Sequence, residues 1–116
     1  MIIVVEGTKL FDDYELFMRG MGVALSDTNM DNEIQVWTLG PHKINHFTAG
    51  FCNLSSRYLK GVGKKIRFSK ITYDYAKQNV DYINYYAFFS NPKESLSKFA
   101  NWIQHKENVE VGIYRY

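Results

Sequence analysis

The stretch Met1-Ile2-Ile3-Val4-Val5-Glu6-Gly7-Thr8-Lys9-Leu10-Phe11-Asp12 decides the fold. An apolar, mostly β-branched run leads into Glu-Gly-Thr-Lys and then into an acidic helix start. Such a run predicts a strand buried on both faces, which is typical of the centre of a parallel sheet. The turn after it then lies at the carboxyl edge, where open α/β folds bind ligands. The alternative is that Gly7 only makes a tight turn.

Strand patterns alternate with helix patterns along the rest of the chain. The further strands are predicted at 33–39, 65–68, 82–89 and 109–114. Strands that alternate with helices indicate right-handed crossovers and a sheet covered on both faces. We therefore predict one α/β domain over residues 1–116, a three-layer Rossmann-like domain with a mostly parallel five-stranded sheet.

Capping residues and helical spacing predict the helices. Asp12 with Glu15 predicts a capping box for the first helix, and Asn91 before Pro92 predicts the start of the last. A polar loop is predicted at 27–32, and a short helix within 69–82. The predicted buried stripes are Tyr14, Phe17, Met18, Met21 and Leu25 in the first helix, and Ile44, Phe47, Phe51, Leu54 and Tyr58 in the second.

The composition excludes several classes of protein. The chain of 116 residues has one cysteine, Cys52, which excludes an internal disulfide and a zinc site built on several thiolates. We expect a core thiol in a reducing cytoplasm. No apolar run has the length of a membrane span, and Met1 leads directly into the first strand, so we expect no signal peptide.

Basic residues are concentrated in one part of the chain. The net charge of +2 is too small to indicate nucleic-acid binding by itself. Residues 57–77, however, contain seven basic residues and one acid, Asp74. This stretch is either a solvated helix end and loop or a surface for nucleic acid or an acidic protein. The basic residues are Arg57, Lys60, Lys64, Lys65, Arg67, Lys70 and Lys77.

Three turns are expected to meet at the carboxyl edge of the sheet, at 6–11, 40–45 and 89–92. Each leads into a helix N-terminus, whose free N–H groups and partial positive charge suit phosphate. Neither standard glycine-rich nucleotide fingerprint is present. The predicted ligand-binding residues of these turns are Glu6, Gly7, Thr8, Lys9, Gly40, Asn45, Thr48, Ser90 and Asn91.

Two histidines, His42 and His46, stand four residues apart at the start of the second helix. Zinc would need a third ligand such as His105, and the H-E-x-x-H pattern is absent. We interpret the pair as a solvated helix start. We predict no metal ion, no cofactor and no catalytic residue.

The first block, Val4-Val5-Glu6-Gly7-Thr8-Lys9-Leu10-Phe11-Asp12-Asp13-Tyr14-Glu15-Leu16, resembles the opening of the SLOG superfamily, in its YspA-like branch. That opening is an apolar strand, Gly-Ser/Thr-Arg, an aromatic residue, Asp, Tyr and a helix. Residues 37–49 stand in the place of the family's glycine-rich second block, and 87–114 look like its last strand-helix-strand unit. The resemblance implies a Rossmann-like domain that binds nucleotides, nucleotide-derived signals or nucleic acids.

Several positions depart from the family pattern. Lys9 replaces its Arg, which keeps the charge but loses the bidentate fork, and Asn45 replaces its Asp. Hydrolase relatives carry Pro-Gly-Gly-x-Gly-Thr-x-x-Glu after the fourth strand, and residues 89–95 lack it. The departures argue against a nucleoside-phosphate hydrolase that uses Glu6 or Glu94.

We therefore expect non-catalytic binding of a nucleotide or nucleotide-derived ligand, with Thr8 and Lys9 on the phosphate and Glu6 on a sugar or base. The alternative is an interaction protein, similar to the small accessory proteins of tailed bacteriophages, that binds a host protein or nucleic acid through 57–77 in the host cytoplasm. A homo-oligomer is left open in both cases. An open pocket with Lys9 inside it would favour ligand binding. A pocket plugged by Phe11, Phe47 or Phe89 would favour the interaction protein.

Overall fold

The computed structural model describes residues 1–26 and 32–115. The second strand has the predicted bounds and the second helix begins at His42 as predicted, whereas the fourth strand begins three residues later than predicted. The predicted polar loop lies outside the described residues except for Asn32. The elements are β1 (Ile2–Gly7), α1 (Tyr14–Ser26), β2 (Glu33–Leu39), α2 (His42–Gly61), β3 (Lys65–Lys70), α3 (Tyr73–Gln78), a 3-10 turn (Val80–Tyr82), β4 (Tyr85–Phe89), α4 (Lys98–Ile103) and β5 (Glu110–Tyr114).

The five strands form one sheet in the order β3-β2-β1-β4-β5, and every pair is parallel. The predicted α/β Rossmann-like fold is confirmed, with a sheet that is wholly rather than mostly parallel. Strand β1 is central, and Ile3, Val4 and Val5 are each 0% exposed. The predicted strand buried on both faces is therefore correct.

Helices cover both faces of the sheet. Ile3 and Val5 pack in a core with α1 and α2, whereas Val4 packs in a second core with α3 and α4. The chain runs outward from β1 to β2 and β3, and then returns to β4 on the other side of β1. This reversal of strand order lies between β1 and β4, so their carboxyl ends flank the crevice where such sheets bind ligands.

Two helix starts differ from the prediction. The cap of α1 is Asp13 rather than Asp12, because the Asp13 carboxylate accepts the Leu16 N–H at 3.0 Å. Helix α4 is capped by Ser97 and begins at Lys98, not after Asn91. Asn91 instead accepts the backbone N–H of Lys93 through its own side chain, which makes a local turn that does not continue as a helix.

The buried faces of the two long helices also differ in part from the predicted stripes. In α1, Phe17 and Met21 are buried as predicted, but Tyr14 is 43% exposed. In α2, Leu54 and Tyr58 are exposed. The buried stripe of α2 instead runs through Thr48, Cys52 and Leu59, so Leu54 and Tyr58 fall beside it on the solvent side.

Candidate ligand-binding site

The carboxylate of Glu6 is buried at the carboxyl end of β1 and is held by three hydroxyl groups. Glu6 is 2% exposed. Its Oε2 accepts a hydrogen bond from Tyr73 Oη at 2.8 Å. Its Oε1 accepts from Ser97 Oγ at 2.8 Å and also from Tyr86 Oη. A buried charge without such partners is costly, so the three hydroxyls stabilise a carboxylate at this position.

Three separate elements bring these hydroxyls to Glu6. Because side chains alternate along β1, Glu6 points to the same face as Val4, which is the face of α3 and α4. Tyr86 lies on the neighbouring strand β4, directly opposite Val4. Tyr73 is the first residue of α3, and Ser97 is the N-cap of α4. The cluster therefore ties the first strand to two helix starts on one side of the sheet.

Burial sets the protonation of this cluster. Desolvation raises the pKa of Glu6 above its ordinary value of 4.5, and the three hydrogen bonds to hydroxyls act in the opposite direction. Burial, and then the charge of Glu6, raises the pKa of both Tyr73 and Tyr86. Both phenols therefore stay protonated and remain donors to the carboxylate.

A cavity of about 360 Å³ opens beside the Glu6 cluster, and we call it the α3–α4 cavity. It is lined by Tyr73, Lys77, Ser97, Lys98 and Phe99. Tyr73 and Ser97 thus belong both to its wall and to the Glu6 cluster. The rings of Tyr73 and Phe99 lie 5.8 Å apart. The cavity therefore has two ammonium groups and an aromatic wall. The hydroxyls of Tyr73 and Ser97 lie beside them and donate to the Glu6 carboxylate.

The opposite side of β1 is filled by apolar side chains. A Cβ on Gly7 would lie 2.8 Å from Cβ and Cγ1 of Ile44. The ring of Phe11 lies 5.3 Å from that of Phe89 and 6.4 Å from that of Phe47. Gly7 therefore allows α2 to pack closely on β1. Phenylalanines plug this side of the edge.

The remaining residues of the first predicted turn have other neighbours. The Thr8 hydroxyl donates to the carboxylate of Glu94. The Leu10 N–H donates to the same carboxylate, with oxygens at 3.3 and 3.4 Å. Lys9 is exposed. The chain itself therefore supplies an anion to the groups that were predicted to bind phosphate.

The second predicted turn, between β2 and α2, is built for close packing. Gly40 has φ 122°, and a Cβ there would lie 2.8 Å from the carbonyl oxygen of Gly7, so conformation and space both require glycine. Asn45 Nδ2 donates to the Gly40 carbonyl at 3.4 Å. Thr48 is 0% exposed and donates to the Ile44 carbonyl at 2.7 Å. These residues hold the turn and the helix in place.

The third predicted turn lies beside a smaller cavity. Ser90 is 1% exposed, and its Oγ has no hydrogen-bond partner in the described part of the chain. Ser90 and Asn91 line a cavity of about 150 Å³ next to Leu10 and Phe11. Glu6 therefore contacts the wall of the α3–α4 cavity, whereas Ser90 and Asn91 line a separate, smaller one.

The histidine pair and the cysteine show no metal geometry. The rings of His42 and His46 stack with centroids 6.3 Å apart. Within residues 1–26 and 32–115, no group of three or more His, Cys, Asp or Glu side chains could hold a metal ion. Cys52 is buried as predicted, and desolvation raises its pKa to about 12, which keeps the thiol protonated and unreactive.

The basic residues of 57–70 lie on and around the edge strand β3, whereas Lys77 lies on α3 and lines the α3–α4 cavity. Arg57 and Lys60 are exposed on α2, which covers one face of the sheet. Lys65 and Arg67 are exposed on β3 and point to the other face, because Ile66 between them packs against the core under α2. The stretch therefore presents basic groups on both sides of one sheet edge.

The sequence did not identify three residues that line the α3–α4 cavity: Tyr73, Ser97 and Lys98. Residues 69–82 have little periodicity, which hid the start of α3. A signal for Ser97 was present, since serine is a favoured N-cap and directly precedes the apolar stripe of α4. Asn91 before Pro92 gave a competing start signal, and the structure uses the later one.

No protein-family model, no curated protein and no solved structure matches this chain. In the part of the chain that the structure describes, no helix is both long and apolar enough to cross a bilayer. The functional conclusion therefore rests on the geometry of the Glu6 cluster and the α3–α4 cavity.

Proposed function

We propose that the chain binds a nucleotide or a nucleotide-derived ligand at the carboxyl edge of the sheet, without catalysis. The ligand occupies the α3–α4 cavity rather than the apolar side under α1 and α2. One observation carries the proposal: Tyr73 and Ser97 line a cavity of about 360 Å³ and also hold the buried carboxylate of Glu6. This cluster lies beside the reversal of strand order, where doubly wound sheets bind ligands.

The wall of the cavity suits the parts of a nucleotide. Lys77 and Lys98 are exposed ammonium groups that attract phosphate as point charges. Tyr73 is 43% exposed and presents a ring on which a base can stack. The Ser97 hydroxyl, held by Glu6, is placed to bond a sugar hydroxyl or a base edge. The proposed ligand therefore combines a phosphate with an aromatic base.

The role of Glu6 supports binding rather than catalysis. The carboxylate oxygens of Glu6 already accept three hydrogen bonds, and the residue is only 2% exposed. Substrate atoms therefore have little access to the carboxylate.

The resemblance of residues 4–16 to the opening of the SLOG superfamily also supports ligand binding. We propose that the chain is a divergent SLOG-like domain. A cytoplasmic setting agrees with the buried free thiol of Cys52.

A thermal-shift panel tests the proposal. Nucleoside monophosphates, nucleoside diphosphates and cyclic dinucleotides are added to the wild type, and a ligand of the α3–α4 cavity raises Tm. Saturation at 100 times Kd stabilises the folded state by about 2.7 kcal/mol. The double variant Lys77→Ala/Lys98→Ala should lose the shift. Lys43→Ala, an exposed lysine on α2, should keep it. No shift with any member of the panel would contradict the proposal.

A second candidate function is a phage-type interaction protein that binds a host protein or nucleic acid through 57–77. Two observations favour it. Phe11, Phe47 and Phe89 plug the side of the edge beside Gly7, and Lys9 is exposed, as this alternative predicted. An apolar patch also lies on α2 and its C-cap, between the basic residues. Leu54, Tyr58 and Val62 are 58%, 76% and 59% exposed. Exposed apolar groups with a charged rim are typical of protein interaction sites.

A pull-down separates this candidate from ligand binding. Wild type and the charge-reversed variant Lys64→Glu/Lys65→Glu/Arg67→Glu are used as baits in a host lysate. The interaction function predicts partners that the variant does not recover. Equal recovery by both baits would rule out the basic residues around β3 as the contact surface. The variant should keep any thermal shift with nucleotides, because none of its three positions lines the α3–α4 cavity.

A further inference from the structure

The turn after β1 holds the carboxylate of Glu94 as if it were a bound anion. Thr8 Oγ1 donates to Glu94 Oε1, and Leu10 N lies 3.3 and 3.4 Å from its two oxygens. A hydroxyl and a backbone N–H that converge after a strand are donors that an oxyanion uses. Glu94 reaches them from a segment more than eighty residues later in the chain. The donors of this turn are therefore satisfied by the protein's own anion.

Two polar side chains, one next to Leu10 and one next to the Glu94 backbone, each have a buried atom without a hydrogen-bond partner in the described chain. Ser90 is 1% exposed, its Oγ has no hydrogen-bond partner among residues 1–26 and 32–115, and it lines the 150 Å³ cavity next to Leu10. Arg115 Nη2 donates to the backbone carbonyl of Glu94 at 2.6 Å. The Nε of Arg115 is buried and also has no partner within the described chain. The polar groups near the turn and near the Glu94 backbone are therefore not all satisfied by the described chain.

Acidic groups limit the affinity that such a site can reach. Asp12 and Asp13 line the same 150 Å³ cavity. The Asp13 carboxylate is engaged with the Leu16 N–H, and both acids repel an entering anion. Glu94 holds its place as a tethered group, without the entropy cost of binding a free ion.

We propose that the turn after β1 is an oxyanion site that Glu94 keeps closed, and that a phosphate or carboxylate group can replace Glu94 there. Replacement frees the Glu94 side chain from Thr8 and Leu10. The segment 90–97 then loses its contact with the turn after β1 and keeps the bond from Ser97 to Glu6 in β1 itself. This site is separate from the α3–α4 cavity and does not depend on the function proposed for it.

Amide chemical shifts test the site directly. Inorganic phosphate and, separately, acetate are titrated into ¹⁵N-labelled wild type, Glu94→Ala and Glu94→Gln at constant ionic strength with chloride. The Leu10 amide of Glu94→Ala should respond to at least one of the two anions with a Kd at least ten times lower than in the wild type. Glu94→Gln, which keeps an oxygen acceptor but loses the charge, should lie between them. Which anion binds tells whether the group is phosphate or carboxylate.

Three control variants test whether the anion binds at the turn after β1 and nowhere else. Glu107→Ala removes one exposed acid elsewhere and should behave as the wild type. Thr8→Val in the Glu94→Ala background should weaken binding at least threefold. Lys98→Ala should leave the Leu10 response unchanged. The proposal is overturned if neither anion moves the Leu10 amide in Glu94→Ala, or if Glu107→Ala gives an equal gain. If Glu94→Ala does not fold, Glu94→Gln decides by the same comparison with the wild type.

Discussion

The two faces of the sheet differ sharply at the carboxyl end of β1, although consecutive residues of one strand point to them. Gly7 faces α2, where Ile44 and a set of phenylalanines occupy the space. Glu6 faces α3 and α4, where three hydroxyls hold its carboxylate and a cavity opens beside them. A Rossmann-like edge can therefore be closed on one face and open on the other.

The two faces also differ in the helices that cover them. Helices α1 and α2 have 13 and 20 residues, whereas α3 and α4 have six each. All four helices begin at the carboxyl edge, so the side chains at their starts decide what fills it. On the closed face, Phe11 before α1 and Ile44 and Phe47 near the start of α2 are apolar and occupy the space. On the open face, α3 starts with Tyr73 and α4 is capped by Ser97, whose hydroxyls donate to the buried carboxylate and whose side chains line the cavity.

Removing a plug from the closed face should have the largest effect. Phe89 is 0% exposed and contacts the rings of Phe11 and Phe17. Phe89→Ala should lower the free energy of unfolding by about 3–5 kcal/mol, through lost burial and the cavity left behind. Urea denaturation measures the change. Leu10→Ala, at a position 59% exposed, should change it by less than about 0.5 kcal/mol.

Adding a methyl group to the closed face should have the next largest effect. Gly7→Ala places a Cβ 2.8 Å from Ile44 and should destabilise the fold by about 1–3 kcal/mol. Gly50→Ala is the matched control, since its added Cβ in α2 meets nothing within 4 Å. That variant should gain about 0.5–1 kcal/mol from helix propensity. An unchanged free energy of unfolding for Gly7→Ala, measured in denaturant, would show that close packing against Ile44 does not require glycine at this position.

The ionisation of Glu6 on the open face should have the smallest effect on the free energy of unfolding. The pKa of Glu6 is raised in the folded protein, so between about 4.5 and that raised value the folded state binds more protons than the unfolded state. Stability from this group therefore falls as pH rises through that window. Glu6→Gln removes the titration. The difference in unfolding free energy, wild type minus Glu6→Gln, should decrease from pH 4.5 upward and then level off.

A pH-independent difference between these two proteins would contradict the burial of an ionisable Glu6. Tyr86→Phe is a second check, because it removes one hydrogen bond to the carboxylate. The loss of that donor should raise the pKa of Glu6 further and extend the window to higher pH.

Local patterns predicted the fold well because they act over short distances. The apolar run of β1 and the alternation of strands and helices were enough to predict a central strand and a parallel sheet. Glu6 was identified because a charged residue directly after a buried strand is unusual. Its partners Tyr73 and Ser97 come from positions 67 and 91 residues away, and no local pattern indicates which hydroxyls meet it.

The closed face and the Glu94 contact were also beyond local patterns. Gly7 looked like a ligand-facing glycine, and only the packing of Ile44 shows that it serves a helix contact. Glu94 was weighed as a possible hydrolase residue, whereas its carboxylate accepts a hydrogen bond from the Thr8 hydroxyl. Asn91 and Ser97 both carried cap signals, and tertiary contacts decided between them.

The affinities of two lysine variants test the central claim most directly. Isothermal titration calorimetry with the nucleotide that gives the largest thermal shift is carried out on the wild type, Lys98→Ala and Lys9→Ala. A ligand in the α3–α4 cavity predicts that Lys98→Ala weakens binding at least tenfold, about 1.4 kcal/mol, and that Lys9→Ala changes it less than twofold. The opposite result would contradict the account: if Lys9→Ala weakened binding at least tenfold and Lys98→Ala changed it less than twofold, the ligand would lie at the turn after β1.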